Sequence, residues 1–174
     1  MTPRVRGVII ALVHALLVLS VAGVLLYDRA TLPRAWVPTA GVDPTLPIRG
    51  RYVALRVVVE LRGDPALIQG RPGRPFGRSA WGSLSVVKGT LVASLTEQGT
   101  SGGGRFLQSV ATQAGERWVL SEPVLFFLPE NAADPTRRAP GEELWAELTV
   151  PETGPPRPIR LGVRRSGGAI EPLE

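Results

Sequence analysis

The stretch Tyr52–Arg62, YVALRVVVELR, decides the fold of this 174-residue chain. Its odd-numbered positions from 53 to 61 are all Val or Leu, whereas the even-numbered positions include Tyr52, Arg56 and Glu60. A period of two is typical of a β-strand that turns one face to a core and the other outward. The stretch therefore predicts a long strand, with Leu55 on its buried face.

Beyond this strand, short apolar stretches alternate with turn residues. Further strands are predicted at residues 81–94, 106–112, 117–128, 144–150 and 159–164. Lys88 and Gly89 can form a turn within the first of these, Pro123 indicates an edge or a bulge, and the last two resemble a closing antiparallel pair. High glycine and proline content also favours short strands joined by turns. We predict a mainly β fold, with an antiparallel β-sandwich or barrel-like domain over residues 51–174.

Residues 7–27, GVIIALVHALLVLSVAGVLLY, carry no charge, and only His14 and Ser20 are polar. At about 1.5 Å per residue, this segment forms a helix of about 31 Å, which matches a hydrocarbon core of about 30 Å. We predict a single transmembrane helix, preceded by a cytoplasmic tail at residues 1–6. The alternative is a cleaved signal peptide, because Arg4 and Arg6 form a basic start and Ser-Val-Ala at 20–22 is an acceptable cleavage site.

This topology places the protein in the inner (cytoplasmic) membrane as a single-pass protein, with its C-terminal domain on the periplasmic or extracellular side. Residues 28–50 follow the helix and contain prolines at positions 33, 38, 44 and 47. Proline interrupts both helices and central strands. We therefore predict a semi-rigid, Pro-rich linker over residues 28–50, which would hold the domain at a set distance from the bilayer with Trp36 near the interface.

The composition argues against most catalytic sites. Cysteine is absent and the only histidine, His14, lies in the apolar segment, so the β domain is not expected to hold a His or Cys nucleophile, a catalytic triad or a zinc site. Glu143 and Glu147 fall on the same outward strand face, as a solvated pair. The net charge of +5 comes from arginines scattered along the chain, unlike a nucleic-acid-binding surface. We predict no catalytic residue, cofactor, metal or nucleic-acid partner.

A hydrolase of the signal-peptidase type is the enzymatic alternative. Such proteases combine one membrane anchor with a β domain, and the stretch RGRYVALRV at 49–57 resembles their Gly-Asp-x-Val box, with Lys88 as the base. Their nucleophilic serine lies between the anchor and that box. Here the only serine before Gly50 is Ser20, inside the apolar segment. A non-enzymatic role is therefore the stronger prediction.

Residues 42–57, VDPTLPIRGRYVALRV, resemble the signature of the GDYXXLXY protein family, which is Val-Asp-Pro followed by Gly-Asp-Tyr-x-x-Leu-x-Tyr. Arg51 replaces the Asp of the signature, and Val57 replaces its last Tyr. A second stretch, VLFFLPEN at 124–131, is similar to the family's Tyr-Phe-Val-Pro-Glu-Gly segment. The motif positions are Val42, Asp43, Pro44, Arg49, Gly50, Arg51, Tyr52, Leu55, Phe127, Pro129 and Glu130. The resemblance implies a membrane-anchored, extracytoplasmic bacterial protein without an established activity, which often accompanies a polytopic membrane protein.

Two functional hypotheses follow. The first is a non-enzymatic accessory or scaffold for a partner membrane protein. The alternative is a periplasmic binding module for a small molecule, a lipid or a cell-wall component, in which Phe76 and the arginines of residues 63–78 would cover an open barrel. A barrel interior filled with side chains would count against this alternative.

Overall fold

The computed structural model describes residues 2–40, 52–71, 77–98, 103–112, 115–129 and 134–173. The chain forms two compact units, Met1–Leu32 and Pro33–Glu174. The second unit is mainly β, which confirms the predicted fold class.

The first unit is one α-helix, α1, Pro3–Thr31. Its 29 residues give a length of about 43 Å, none of them is buried, and the helix is long and apolar enough to cross a membrane. It extends four residues beyond each end of the predicted segment 7–27, so residues 3–6 are helical where a tail was predicted. Pro3 is the first residue of the helix. Proline is well tolerated there because an N–H in the first turn has no carbonyl partner within the helix, so its absence costs no hydrogen bond.

The second unit contains eleven strands among the described residues. They are β1 Arg34–Ala40, β2 Tyr52–Arg62, β3 Gln69–Gly70, β4 Arg78–Val87, β5 Thr90–Thr96, β6 Arg105–Thr112, β7 Gly115–Leu120, β8 Val124–Phe127, β9 Glu142–Thr149, β10 Arg157–Arg165 and β11 Ile170–Pro172. A 3-10 turn, Pro65–Leu67, precedes β3, and the Asp64 side chain caps it by accepting from Ala66 N at 2.9 Å.

Five of these strands close into a barrel. The pairings run β2–β5–β4–β6–β7 and return from β7 to β2. Every pairing in this circuit is antiparallel except β2–β5, which is parallel over Glu60–Arg62. The described sheet is antiparallel apart from this pair, which is parallel because the β4–β5 hairpin turns the chain back before β5 meets β2.

Five of the other strands extend the sheet from the first half of β2, in the order β8–β2–β1–β9–β10–β11, and β3 pairs with β4. β2 belongs to both parts, since β8 and β1 pair with its beginning and β7 and β5 pair with its end. Both halves of β2 can pack on the core because apolar residues occupy every second position along the whole strand. Val53, Leu55, Val57 and Val59 are all buried, with Leu55 and Val57 fully inaccessible.

The interior is packed with aliphatic side chains from most strands. The core cluster includes Val37, Leu55, Leu91, Leu107, Ala146, Leu148 and Leu161. Several of these residues are completely inaccessible, so the described part of the barrel has a filled interior. Burial of such side chains contributes about 1.5–3 kcal/mol each, which makes this core the main source of stability.

The predicted linker over residues 28–50 is wrong where the structure describes it. Residues 28–31 complete α1, and residues 34–40 form β1, a strand in the interior of the sheet order. β1 pairs first with β9 over Arg34–Pro38 and then with β2 at Thr39 and Ala40. Among the described strands, each part of β1 pairs with a single neighbour, and Pro38 is tolerated because a strand paired along one edge can omit an N–H. Buried Ala35 and Val37 hold the strand in place.

The local turn predictions are confirmed. Lys88 and Gly89 join β4 to β5 with positive φ angles of 51° and 80°, as a type I′ hairpin turn requires. The predicted strand at 117–128 is interrupted at residues 121–123, next to Pro123, and so becomes β7 and β8. The closing pair is β9 with β10.

Candidate functional site

The residues considered for chemistry do not come together in the described structure. His14 lies on α1 and donates from Nδ1 to the Ile10 carbonyl at 2.8 Å, so it has a partner within its own helix. Lys88 is exposed at the β4–β5 hairpin tip. Among the described residues, no group of three His, Cys, Asp or Glu side chains could hold a metal ion.

Glu143 and Glu147 do not form the predicted solvated pair. Glu143 is exposed, but Glu147 is 6% exposed, and its Oε2 accepts from Arg160 Nε at 2.6 Å. Both carboxylates point outward from β9, as the alternation requires. Glu147 is covered because its two cross-strand neighbours are the large side chains of Trp36 and Arg160. The guanidinium of Arg160 in turn lies over the Trp36 ring, 5.4 Å from its centroid.

The described residues form an open groove of about 560 Å³, which we call the aromatic groove. Its residues come from β4, from β6 and the residue before it, from the end of β7, the β7–β8 connection and β8, and from the start of β10 with the two residues before it. They are Trp81, Gly104, Arg105, Phe106, Leu120, Ser121, Glu122, Pro123, Val124, Leu125, Pro155, Pro156, Arg157 and Pro158.

Two aromatic side chains form part of the aromatic groove. Trp81 on β4 and Phe106 on β6 are cross-strand partners, and their ring centroids lie 5.3 Å apart at an interplanar angle of 50°. Such tilted pairs stabilise each other while leaving ring surface available. Gly104 adds no side chain beside them: a Cβ there would lie 3.9 Å from Trp81.

Prolines and arginines surround the rings. Pro155, Pro156 and Pro158 line the groove at the entry to β10, and Pro123 lines it before β8. The charges of the groove are those of Arg105, Arg157 and Glu122. Arg105 Nη1 lies 3.8 Å from Glu122 Oε2, and Glu122 is largely exposed. An exposed pair at this separation is weak.

An exposed apolar surface continues from the groove, which we call the apolar stripe: Tyr52, Leu125 and Phe127. Tyr52 and Phe127 face each other across β2 and β8, with ring centroids 6.2 Å apart. The exposed fractions are 40% for Tyr52, 48% for Leu125 and 73% for Phe127. Leu125 also lines the groove, so the stripe and the groove form one continuous surface.

Charged networks lie outside this surface. Glu142 accepts from Arg165 Nε at 2.8 Å and from Ala139 N at 3.3 Å, and these bonds lower the pKa of its carboxyl. The Thr136 hydroxyl and N–H likewise lower the pKa of Asp134. Glu142 is the first residue of β9 and Asp134 lies in the loop before it, and neither carboxylate lines the groove.

The motif positions from the sequence separate into three groups. Tyr52 and Phe127 lie in the apolar stripe, and Pro129 is exposed just beyond it. Leu55 is in the core. Val42, Asp43, Pro44, Arg49, Gly50, Arg51 and Glu130 lie outside the described residues, as does Phe76 of the predicted flap.

Sequence reasoning missed the aromatic groove. Trp81 and Phe106 are far apart along the chain and meet only through the β4–β6 register. The run of two phenylalanines in VLFFL could have indicated only the neighbouring apolar stripe, since strand alternation places one of the two on the outside.

The domain is thus a closed barrel with a sheet extension, carries an apolar and aromatic surface site, and is joined to a helix able to cross a membrane. A scan against protein-family models, a search of curated proteins and a search of solved structures found no match for this chain. The resemblance to the GDYXXLXY family therefore rests on the motif residues alone.

Proposed function

We infer that this protein is a non-enzymatic accessory protein, anchored in the inner membrane by α1, whose β domain binds a partner membrane protein outside the cytoplasm. The apolar stripe carries this proposal. Side chains such as Phe127 and Leu125 occupy outward positions that a solvated strand fills with polar residues, and continuous exposed apolar surfaces mark interaction sites.

The length and composition of α1 support the anchor. The resemblance to membrane-anchored, extracytoplasmic proteins supports a position of the β domain outside the cytoplasm. A reporter fused after residue 174 should be active outside the cytoplasm and inactive inside it. The mass of the purified protein separates the anchor from the signal-peptide alternative, because cleavage removes the first twenty or so residues.

The filled interior argues against a ligand held within the barrel, as the binding-module alternative required. The aromatic groove falls in the size range of small-molecule sites. A small molecule in the groove would nevertheless leave Phe127 and Tyr52 uncovered. A protein partner accounts for the groove and the stripe together.

The test compares a Leu125→Ser/Phe127→Ser double variant with the wild type after mild cross-linking of intact membranes and purification of the full-length chain. We expect a membrane protein to co-purify with the wild type and to be lost from the double variant. Arg137→Ser is the matched surface control, since the Arg137 side chain is 89% exposed and lies outside the stripe. Equal recovery with all three chains would overturn the proposal.

A further inference from the structure

The helix α1 carries one polar atom that its own chain leaves without a partner. Nδ1 of His14 lies 2.8 Å from the Ile10 carbonyl, and a carbonyl only accepts, so the proton of the neutral imidazole is on Nδ1. The other ring nitrogen, Nε2, then carries a lone pair and is a hydrogen-bond acceptor. The described part of the chain buries no residue of α1 and gives Nε2 no hydrogen-bond partner.

The depth of His14 in the apolar segment keeps water from taking that place. The uncharged segment runs from Gly7 to Tyr27, and His14 is seven residues from its nearer end. At about 1.5 Å per residue, this separation is about 10 Å. An imidazole is too short to cover that distance, unlike the long side chains of Lys and Arg. In a bilayer Nε2 therefore lies in hydrocarbon, where an unpaired polar group costs free energy.

The hydroxyl groups of Ser and Thr in α1 are already paired within the helix. Ser20 Oγ donates to the Leu17 carbonyl and Thr31 Oγ1 donates to the Tyr27 carbonyl, both at 2.8 Å. The Tyr27 side chain is at the end of the apolar segment, about 20 Å along the helix from His14. Among the side chains of the apolar segment, His14 is thus the one that still needs a partner within the hydrocarbon.

A second copy of this chain does not supply that partner. Copies of one chain insert in the same orientation, so two α1 helices would run parallel and place their His14 rings at the same depth. Both Nε2 atoms would be acceptors, and two acceptors form no hydrogen bond. The Ser20 hydroxyl is engaged, and its position is about 120° around the helix from His14. The contact therefore calls for a different helix that has a donor at this depth.

The surface around His14 allows another helix to come close. Gly7 and Ala11 lie on the same face of α1, seven and three residues before His14, and the space beside Gly7 is open. Val18 continues this face one turn after His14. Small residues on such a face let two helix backbones approach, and hydrogen bonds between side chains then add to the packing.

We propose that the His14 face of α1 binds a membrane-spanning helix of the partner, and that a hydroxyl, amide or indole group of that helix donates a hydrogen bond to His14 Nε2. This inference rests on the proposed function, which places α1 across the membrane and makes a membrane protein the partner. It deepens that function by adding a contact inside the bilayer. The anchor thereby contributes to the choice of partner.

A photo-reactive phenylalanine analogue in the full-length chain, introduced in living cells, tests the helix contact. Position 18 lies on the His14 face. Position 16 is the matched control, because it is about 160° away around the helix and Leu16 and Val18 are similarly exposed, at 71% and 68%. We expect position 18 to form an adduct with a membrane-spanning segment of the protein that co-purifies with the wild type, and position 16 to form none.

Substitutions of His14 test the hydrogen bond itself. His14→Leu removes the acceptor and makes the helix more apolar, so the chain should still insert while the adduct yield from position 18 falls about threefold, as for one average hydrogen bond between membrane helices. His14→Gln keeps an acceptor oxygen and should retain most of the yield. Alanine in place of the partner's donor nearest the cross-link should lower the yield as His14→Leu does, and the two changes together should lower it no further.

The inference is overturned if positions 16 and 18 give the same adducts, if position 18 cross-links only to a second copy of the chain or to no protein, or if His14→Leu leaves the yield unchanged. Failure of the proposed function gives a different result. A partner that is lost from the Leu125→Ser/Phe127→Ser chain but fully retained by His14→Leu contradicts only the helix contact. A partner that is retained by the double variant but lost from His14→Leu contradicts only the contact of the β domain.

Discussion

Arg160 Nε donates to Glu147 Oε2 at 2.6 Å and joins β10 to β9 on the outward face of the sheet. Arg34 of β1 lies 4.0 Å from the other oxygen of the same carboxylate. One largely buried glutamate therefore connects three neighbouring strands. This network adds a side-chain connection to the β1–β9 pairing and to the burial of Ala35 and Val37.

Glu147→Gln should lower the free energy of unfolding by about 1–2 kcal/mol. The substitution keeps the shape of the side chain but removes the charge that two arginines contact, and the half exposure of Arg160 keeps the loss below that of a fully buried pair. Urea unfolding of the full-length chain measures the change. The control Glu143→Gln, at an exposed position of the same strand, should change stability by less than about 0.5 kcal/mol. Equal effects of the two substitutions would contradict the role of Glu147.

Gly162→Ala should destabilise the domain by about 1–3 kcal/mol through overpacking. A Cβ at this position would lie 2.7 Å from Ile170 Cγ2, 2.9 Å from Trp36 Cζ3 and 3.0 Å from the Glu171 carbonyl, so β11 or the tryptophan must move. Thermal unfolding measures the loss. Gly104→Ala is the matched control, because its nearest neighbour is at 3.6 Å, an ordinary contact distance. A Gly162→Ala chain as stable as the Gly104→Ala chain would rule out the close packing of Trp36 against β10.

Lys88→Asn should raise stability by about 0.5–1 kcal/mol. Lys88 adopts a left-handed conformation with φ of 51°, and Asn-Gly is favoured over Lys-Gly in a type I′ turn. Gly89→Ala should have the opposite effect, since φ of 80° strains a side-chain-bearing residue. Chemical unfolding midpoints report both changes. A midpoint that falls in Lys88→Asn would mean that Lys88 makes a contact that the turn geometry does not explain.

The pH dependence of stability should include a contribution from Glu142. Its pKa is lowered from 4.5, chiefly by the hydrogen bond from Arg165, so the carboxylate is favoured in the folded state. The resulting stabilisation is fully present above the unfolded pKa and is lost as the pH falls through the lower folded pKa. Wild type and Glu142→Gln should therefore differ at pH 7 and converge below pH 4.5. A difference that is independent of pH would show that the ion pair with Arg165 is not its source.

Local patterns predicted local structure well. The alternation in Tyr52–Arg62, the Lys88-Gly89 turn, the apolar helix and the β9–β10 pair all follow from neighbouring residues, and each is present. The mainly β fold class follows from the same patterns.

Features that depend on distant residues were not predictable in this way. The prolines near β1 indicated a linker, but buried Ala35 and Val37 and the pairing with β9 outweigh that local tendency. The parallel β2–β5 pair and the Trp81–Phe106 contact depend on how the barrel closes. The burial of Glu147 depends on which side chains β1 and β10 place beside it.

The central claim is that the apolar stripe contacts a partner membrane protein. A photo-reactive phenylalanine analogue introduced at position 127 of the full-length chain, and separately at position 137, tests it in living cells. The account predicts a discrete adduct with a membrane protein from position 127 and none from position 137. The absence of an adduct from position 127, or the same adduct from both positions, would contradict it.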